Sequence, residues 1–310
     1  MGAAFETILS GGPRQSMSFT ASSNGAFALF ACRRYTAPPL LQSRFMNQRD
    51  PHLPIADVQS QPDTRKIAID RVGVKGLRHP LRIRCEGGAV LQTVAVFDMA
   101  VRLAEDQKGT HMSRFVELLE AQAEPLDAKA MPDMLADMLA RLHANEGSIT
   151  VRFPFFLTKS APISGVKSTL DYDVVLHGDL RDGLSDISTR VTIPVTSLCP
   201  CSKEISVYGA HNQRAHIAIT VAGEMPVGIE SIIRMAEEQA SSELYGVLKR
   251  ADEKYVTERA YENPKFVEDV ARDVAAVLKA DTNVRSFRVE VENFESIHNH
   301  SAFAVISGRQ

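Results

Sequence analysis

From Ile67 onward the chain gives one order of hydrophobic patterns twice, and that order constrains its fold more than any other feature. Ile67–Leu77 alternates apolar and polar residues as a half-buried strand does. Gly76–Pro80 reads as a turn, Leu81–Cys85 alternates again, and Val90–Val101 is a third alternating stretch. Helical spacing follows over Ser113–Ala123 and Asp127–Ala144, with Ser113 and Asp127 as N-caps. Asn145–Ser148 closes the second helix, and strands are expected over Ile149–Lys159 and Lys167–Leu180. The second half repeats this order. Strands are expected at Asp186–Thr196 and Arg214–Ala222, and helices at Ile229–Lys249 and Pro264–Leu278. Asn263 serves as cap of the latter with Pro264 at its first position. Closing strands fall at Val284–Val291 and Ser301–Ile306. Each half thus reads strand–strand–helix–helix–strand–strand, an α+β pattern without residue-level repetition. Its natural packing is a four-stranded antiparallel sheet with both helices on one face. The uncovered sheet faces and free edges then call for assembly of several sheets into a closed, multimeric barrel.

The remainder of the chain sets boundaries. Residues 1–45 are rich in Ser, Gly, Ala and Pro and lack periodicity. They read as a disordered tail or as an upstream extension before a start at Met46, with a transit-like segment as a further option. Residues 46–64 are polar and proline-bearing, an N-terminal arm. The two repeats then occupy 65–185 and 186–310. The net charge of −3 gives no global field for nucleic acid, and no apolar run approaches the roughly 20 residues of a membrane span. The four cysteines, Cys32, Cys85, Cys199 and Cys201, do not make a disulfide framework in a chain this long. A reducing, cytoplasmic compartment is the expectation.

Two of those cysteines stand two apart in Ser197-Leu-Cys-Pro-Cys-Ser-Lys-Glu204, and His211 follows within reach of one hairpin. Thiolate and neutral imidazole are ligands preferred by zinc and its first-row neighbours. The flanking strands would bring Cys199 and His211 to facing ends of a strand pair, with a metal between them. On extended backbone Cys199 and Cys201 would also face the same side. Buried structural cysteine is the competing reading. A catalytic zinc commonly takes three protein ligands, and the residues alone do not single out the third. Glu253 reads as a solvated carboxylate past a helix end. Glu268, flanked by apolar residues on a helix, reads as half-buried, either paired with an arginine or accepting two parallel N–H bonds from a guanine edge.

Asn293–His300 holds Glu295, His298 and His300 between two strands, in a chain with nine histidines in all. This suits acid–base work near neutral pH, with a plain polar turn as the alternative. Lys108–Phe115 opens a helix with His111 and Arg114, an arrangement suited to phosphate and equally to a capped helix. Lys159–Lys167 is a basic turn that could meet a triphosphate.

Taken together, Lys108-Gly-Thr-His-Met-Ser-Arg-Phe115, Ser197–Glu204, Gly209-Ala-His-Asn-Gln-Arg214 and Glu295-Ser-Ile-His-Asn-His300 resemble the type IB GTP cyclohydrolase I family from about Met46 to the C-terminus. The resemblance implies two tandem tunnelling-fold (T-fold) modules, the second carrying the site. It implies Cys199, His211 and Glu253 as ligands of one divalent ion (zinc, manganese or iron(II)), since members of this family accept metals other than zinc. It further implies Glu268 on the guanine edge, His298 shuttling protons with His300 and Glu295 nearby, and Cys201 lining the site. Charge and position add His111, Arg114, Lys159, Lys167 and Lys203 as candidates for the triphosphate. The expected reaction opens the imidazole ring of GTP at C8, releases formate and recloses to 7,8-dihydroneopterin triphosphate at the head of folate synthesis. A homotetramer with sites between subunits is expected, with no nucleic-acid or membrane partner. Three other readings stand beside it: an archaeal-type relative making a cyclic phosphate, a T-fold nitrile reductase with a cysteine nucleophile, and a non-catalytic metal- or purine-binding module.

Overall fold

The computed structural model describes residues 57–59, 61–223 and 227–310. The expected tail, 1–45, lies outside the described residues, as does most of the arm. The first half contains β1 (Ile69–Arg84), β2 (Val90–Leu103), α1 (Ser113–Glu120), α2 (Met131–Leu142), β3 (Gly147–Ser160) and β4 (Lys167–Arg181). The second contains β5 (Leu184–Leu198), α3 (Pro200–Ile205), β6 (Asn212–Gly223), α4 (Ile229–Glu238) and β7 (Ser242–Glu243). It continues with α5 (Arg250–Glu262), α6 (Val267–Ala280), β8 (Val284–Asn293) and β9 (Ala302–Arg309). The strands form one antiparallel sheet in the order β1-β2-β3-β4-β5-β6-β8-β9, with β7 paired to β5. The expected boundary between halves, 185/186, falls at the start of β5, and β4 pairs with β5 across it.

Five local expectations are corrected. Gly76–Pro80 is not a turn: β1 runs through it with a slip in register between Val74 and Leu77. Gly76 takes the left-handed conformation (φ +72°) that glycine tolerates, and its N–H donates to Asp98 Oδ1 at 2.8 Å, so the glycine marks a bulge. Asp127 accepts from the Ala130 N–H at 2.9 Å in a turn that precedes α2 rather than capping it, and Ser113 is the first residue of α1, not its cap. The helix expected over Ile229–Lys249 ends at Glu238, and α5 is an element the periodicity did not reveal. Asn263 closes α5 instead of opening α6.

α2, α4 and α6 serve one continuous core. α2 packs on β3, β4 and β5, α4 on β5, and α6 on β8 and β9. Met131, Leu135, Met138 and Leu142 form the apolar stripe of α2, and Ile217, Ile219, Val289 and Val291 lie opposite α6, all buried. Burial of each such side chain contributes about 1.5–3 kcal/mol. The sheet opens at one end. β4 pairs with β5 only as far as Asp173↔Thr192. Beyond that point Val195 and Thr196 of β5 pair with Glu243 and Ser242 of β7. This gap lies a few residues from Cys199.

Candidate active site

The last paired residues of β5 and β6 are Leu198 and Asn212, and the Cys199 N–H donates to the His211 carbonyl at 3.2 Å. The facing strand ends expected from the sequence are therefore present. Ser202 ties the two further: its Oγ donates to the Cys199 carbonyl at 3.1 Å and accepts from the His211 N–H at 3.2 Å. Gly209 (φ +121°) supplies the backbone conformation the return turn requires. Cys199 is extended at the N-cap of α3 while Cys201 sits inside that helix. The shared-face argument for the two cysteines therefore fails, and Cys201 is the exposed one.

His211 Nδ1 lies 3.0 Å from Gln213 Oε1 and 3.1 Å from Ser296 Oγ. An amide oxygen only accepts, so Nδ1 carries the proton and Nε2 presents its lone pair. This is how a metal-ligating histidine is held by its neighbours. Ser296 belongs to the loop between β8 and β9, so the same contact draws Glu295, His298 and His300 to this end of the sheet. The loop is anchored by Phe294, whose N–H donates to the Arg214 carbonyl at 3.0 Å and whose ring meets His216 edge-on at 4.8 Å. Burial, then the Arg214 charge, lowers the pKa of His216, which keeps the ring neutral against Phe294. His298 and His300 are exposed and stack with ring centroids 5.2 Å apart.

α5 and α6 meet beside this site. Lys203 Nζ donates to the Tyr261 carbonyl at 2.6 Å and lies 4.5 Å over the Tyr261 ring. The Lys265 N–H donates to the Leu198 carbonyl at 3.1 Å, one turn before Glu268 in the first turn of α6. Glu268 is exposed rather than half-buried, and the nearby arginine, Arg272, pairs with Asp269 at 3.6 Å instead.

Other expected site residues fall elsewhere. Glu253 is exposed in the first turn of α5, at the opposite end of that helix from Tyr261. Among the described residues no three His, Cys, Asp or Glu side chains are grouped to hold a metal. The donor types of Cys199 and His211 fit one, but the third donor is not brought to them within the chain. Lys167 is exposed at the start of β4, on the hairpin where the N-terminus of α5 docks. Lys159 is not available to a triphosphate. Its side chain is buried, with Nζ 2.8 Å from Glu237, 2.7 Å from Glu243 and 3.0 Å from the Leu244 carbonyl. His111 lies 3.2 Å from Asp57, and Arg114 donates to the Arg141 carbonyl at 2.7 Å, at the end of α2.

The sequence did not single out Gln213, Ser296, Asp252 or the carboxylates around Lys159. Gln213 left one signal: it is a polar residue at an inward position of an alternating strand. Asp252 is fully buried and accepts from the Ile163 and Ser164 N–H groups, the Ser164 hydroxyl and the Lys249 N–H, at 2.6–2.8 Å.

Comparison with known proteins agrees with the motifs. A family model described as type I GTP cyclohydrolase folE2 matches residues 55–304. The GTP cyclohydrolase FolE2 of Paraburkholderia xenovorans (strain LB400) is 58% identical over 261 residues, which cover 84% of this chain and 97% of that protein. That of Burkholderia ambifaria (strain MC40-6) is 59% identical over 263 residues, with the same coverage. Among solved structures, uricase from Arthrobacter globiformis overlays with a TM-score of 0.46 at 7% identity, over 77% of this chain and 93% of that one.

Proposed function

We infer the reaction from one premise: the chain belongs to the type I GTP cyclohydrolase FolE2 family. It is a GTP cyclohydrolase of folate biosynthesis, a hydrolase that opens the guanine imidazole ring at C8, releases formate and recloses the product as 7,8-dihydroneopterin triphosphate. The observation that carries the residue assignment is the His211 geometry, an imidazole with Nδ1 engaged by Gln213 and Ser296 on a residue whose carbonyl accepts from the Cys199 N–H, next to a loop bearing two more histidines.

Cys199, His211 and Glu253 are the ligands of a divalent ion: zinc, manganese or iron(II). A carboxylate in place of a second thiolate weakens the preference for zinc over its neighbours. When bound, such an ion supplies a water of lowered pKa. The residues do the rest. Glu268 is unengaged by the nearby arginine, so its two oxygens are free to accept parallel N–H bonds from the guanine edge and fix the base. His298 passes a proton to the imidazole nitrogen as the ring opens, and His300, stacked on it, supports its orientation. Glu295 and Cys201 line the same end. The triphosphate falls to His111, Arg114, Lys167 and Lys203, while Lys159 serves the interior.

The enzyme works in the cytoplasm as a homotetramer. Support for the compartment is that Cys85, Cys199 and Cys201 are unbridged among the described residues. The test is formate release from GTP by metal-stripped protein re-supplied with each metal, with the product weighed. Metal-dependent formate with a triphosphate product is expected. Bound metal without formate would turn the site into a binding module, and a cyclic phosphate product would make it the archaeal-type activity.

A further inference from the structure

We propose that Asn293 is a positioning residue for recognition of the guanine base: acting through the Ser197 hydroxyl, it fixes the start of α6 and thereby aims the carboxylate of Glu268. The inference rests on the preceding assignment of Glu268 to the guanine edge and goes beyond it in naming what aims that carboxylate.

The buried face of the sheet changes character near Cys199 and His211. Val195 of β5, Ala215 of β6 and Val291 of β8 are buried and apolar. Two residues nearer the strand ends, on the same face, stand Ser197, Gln213 and Asn293, which are buried as well. One hydroxyl and two amides thus close the apolar core at the ends that carry the two candidate ligands.

Gln213 serves His211. Asn293 serves another element: its Nδ2 donates to Ser197 Oγ at 3.0 Å. The Ser197 hydroxyl donates in turn to the Lys265 carbonyl at 3.3 Å, and the Lys265 N–H donates to the Leu198 carbonyl at 3.1 Å. A carbonyl only accepts, so the hydroxyl hydrogen lies toward Lys265 and the serine oxygen receives from the asparagine amide. Lys265 is therefore held to the end of β5 through both its N–H and its carbonyl. Glu268 follows three residues later in the first turn of α6. It is exposed, and Arg272 pairs with Asp269, so the aim of Glu268 is set by where its helix starts.

The core itself gains nothing from this amide. Asn293 Oδ1 is buried without a hydrogen-bond partner, the one such side-chain atom among the described residues. An unpaired buried acceptor destabilises a fold, and leucine, of similar bulk, carries no such atom. A locally unfavourable residue one bond away from the segment that leads into Glu268 marks a requirement of the site rather than of the core.

Selectivity for guanine over hypoxanthine tests this. Inosine 5′-triphosphate lacks the 2-amino group and offers Glu268 one N–H instead of two. The ratio of its inhibition constant to the KM for GTP reads the aim of the carboxylate, and a change in stability alone does not move it. Metal-loaded, full-length wild type is compared with Asn293→Leu, Ser197→Ala and Glu268→Gln. Asn293→Leu should lower the ratio about 10-fold, the worth of one hydrogen bond to a charged group, with a urea midpoint equal to or above that of wild type. Ser197→Ala should lower the ratio as far and the midpoint too, and it carries the test should the leucine variant not fold. Glu268→Gln should lower the ratio at least as much, and Asn293→Leu added to it should lower it no further. A wild-type ratio in the Asn293 and Ser197 variants, beside a lowered one in Glu268→Gln, would overturn the positioning role and leave Glu268 on the base. A further loss in the double variant would also overturn it, because Asn293 would then act apart from Glu268. A ratio untouched by Glu268→Gln would remove Glu268 from the guanine edge, and the inference with it.

Discussion

At the scale of single residues, the chemistry depends on which nitrogen of His211 is available. Gln213 decides this, because its buried amide oxygen demands a proton on Nδ1. Gln213→Leu keeps the bulk and removes the acceptor. Zinc affinity, read by competition with a chromophoric chelator, should fall about 10–100-fold while the fold is retained. An unchanged affinity would mean that Ser296 alone orients the ring. His298 bears on a different step. His298→Ala should lower turnover about 10²-fold or more with metal content unchanged, because a lost proton carrier leaves the ligands in place. A defect matched by metal loss would assign His298 to the metal centre instead. The sequence made Cys199 and His211 legible, since their spacing and flanking strands fix them at adjacent strand ends. It misassigned Lys159, because nothing in a linear reading shows that two carboxylates from α4 and β7, about 80 residues away, converge on that ammonium.

At the scale of elements, the region between α4 and α5 departs most from the sequence reading. Ile229–Lys249 reads as one helix in the sequence, yet the chain leaves the helix after Glu238. Sheet pairing overrides propensity there. Ser242 and Glu243 pair with Thr196 and Val195 where β4 has left β5, and Ser241 Oγ accepts from the Leu198 N–H at 3.1 Å. α5 was invisible for the converse reason: a helix held by polar clamps shows no apolar stripe to read. The gap also houses Lys159 with Glu237, Glu243 and Tyr172, whose hydroxyl donates to Glu237 at 2.9 Å. Burial raises the pKa of Glu237, against the pull of Lys159 and Tyr172. Lys159→Ala leaves Glu237 enclosed without its cation, while Glu243 keeps Arg259 at 3.4 Å, and should cost about 3–5 kcal/mol in urea unfolding. The sign of its pH dependence follows. A carboxylate whose folded pKa lies above its unfolded value binds more protons when folded, so stability falls as pH rises. The deficit of the variant should therefore narrow as pH is lowered toward about 4.5. A deficit constant with pH would show that lost packing, rather than stranded charge, is responsible.

At the scale of the whole molecule, the two halves share one sheet and one core, and a polar clasp fastens them away from the active site. The turn between β1 and β2 reaches the N-terminus of α4. Glu86 accepts from the Ser231 N–H at 2.9 Å and pairs with Arg234 at 2.7 Å, while Glu230 accepts from the Glu86 N–H at 3.0 Å. Each carboxylate thus serves the other's segment, and Glu86 faces the positive end of the helix dipole. Burial alone would raise the pKa of Glu86, but the Ser231 and Arg234 contacts outweigh it and hold it below the usual glutamate value. A carboxylate with a depressed folded pKa stabilises the fold above its unfolded pKa, and that contribution is lost as pH falls through the folded value. The wild-type protein should therefore lose part of its stability below about pH 4.5 on account of this contact. Glu86→Gln should be less stable than wild type by about 0.3–1 kcal/mol near pH 7 and should converge with it in acid. Urea midpoints across that range decide the matter. Because the clasp joins segments about 140 residues apart, the same variant should speed exchange of the amide protons at the start of α4 without disturbing those of β5 and β6. Exchange that rose equally across the sheet would mean the halves part together, and that sheet and core, not the clasp, set their separation.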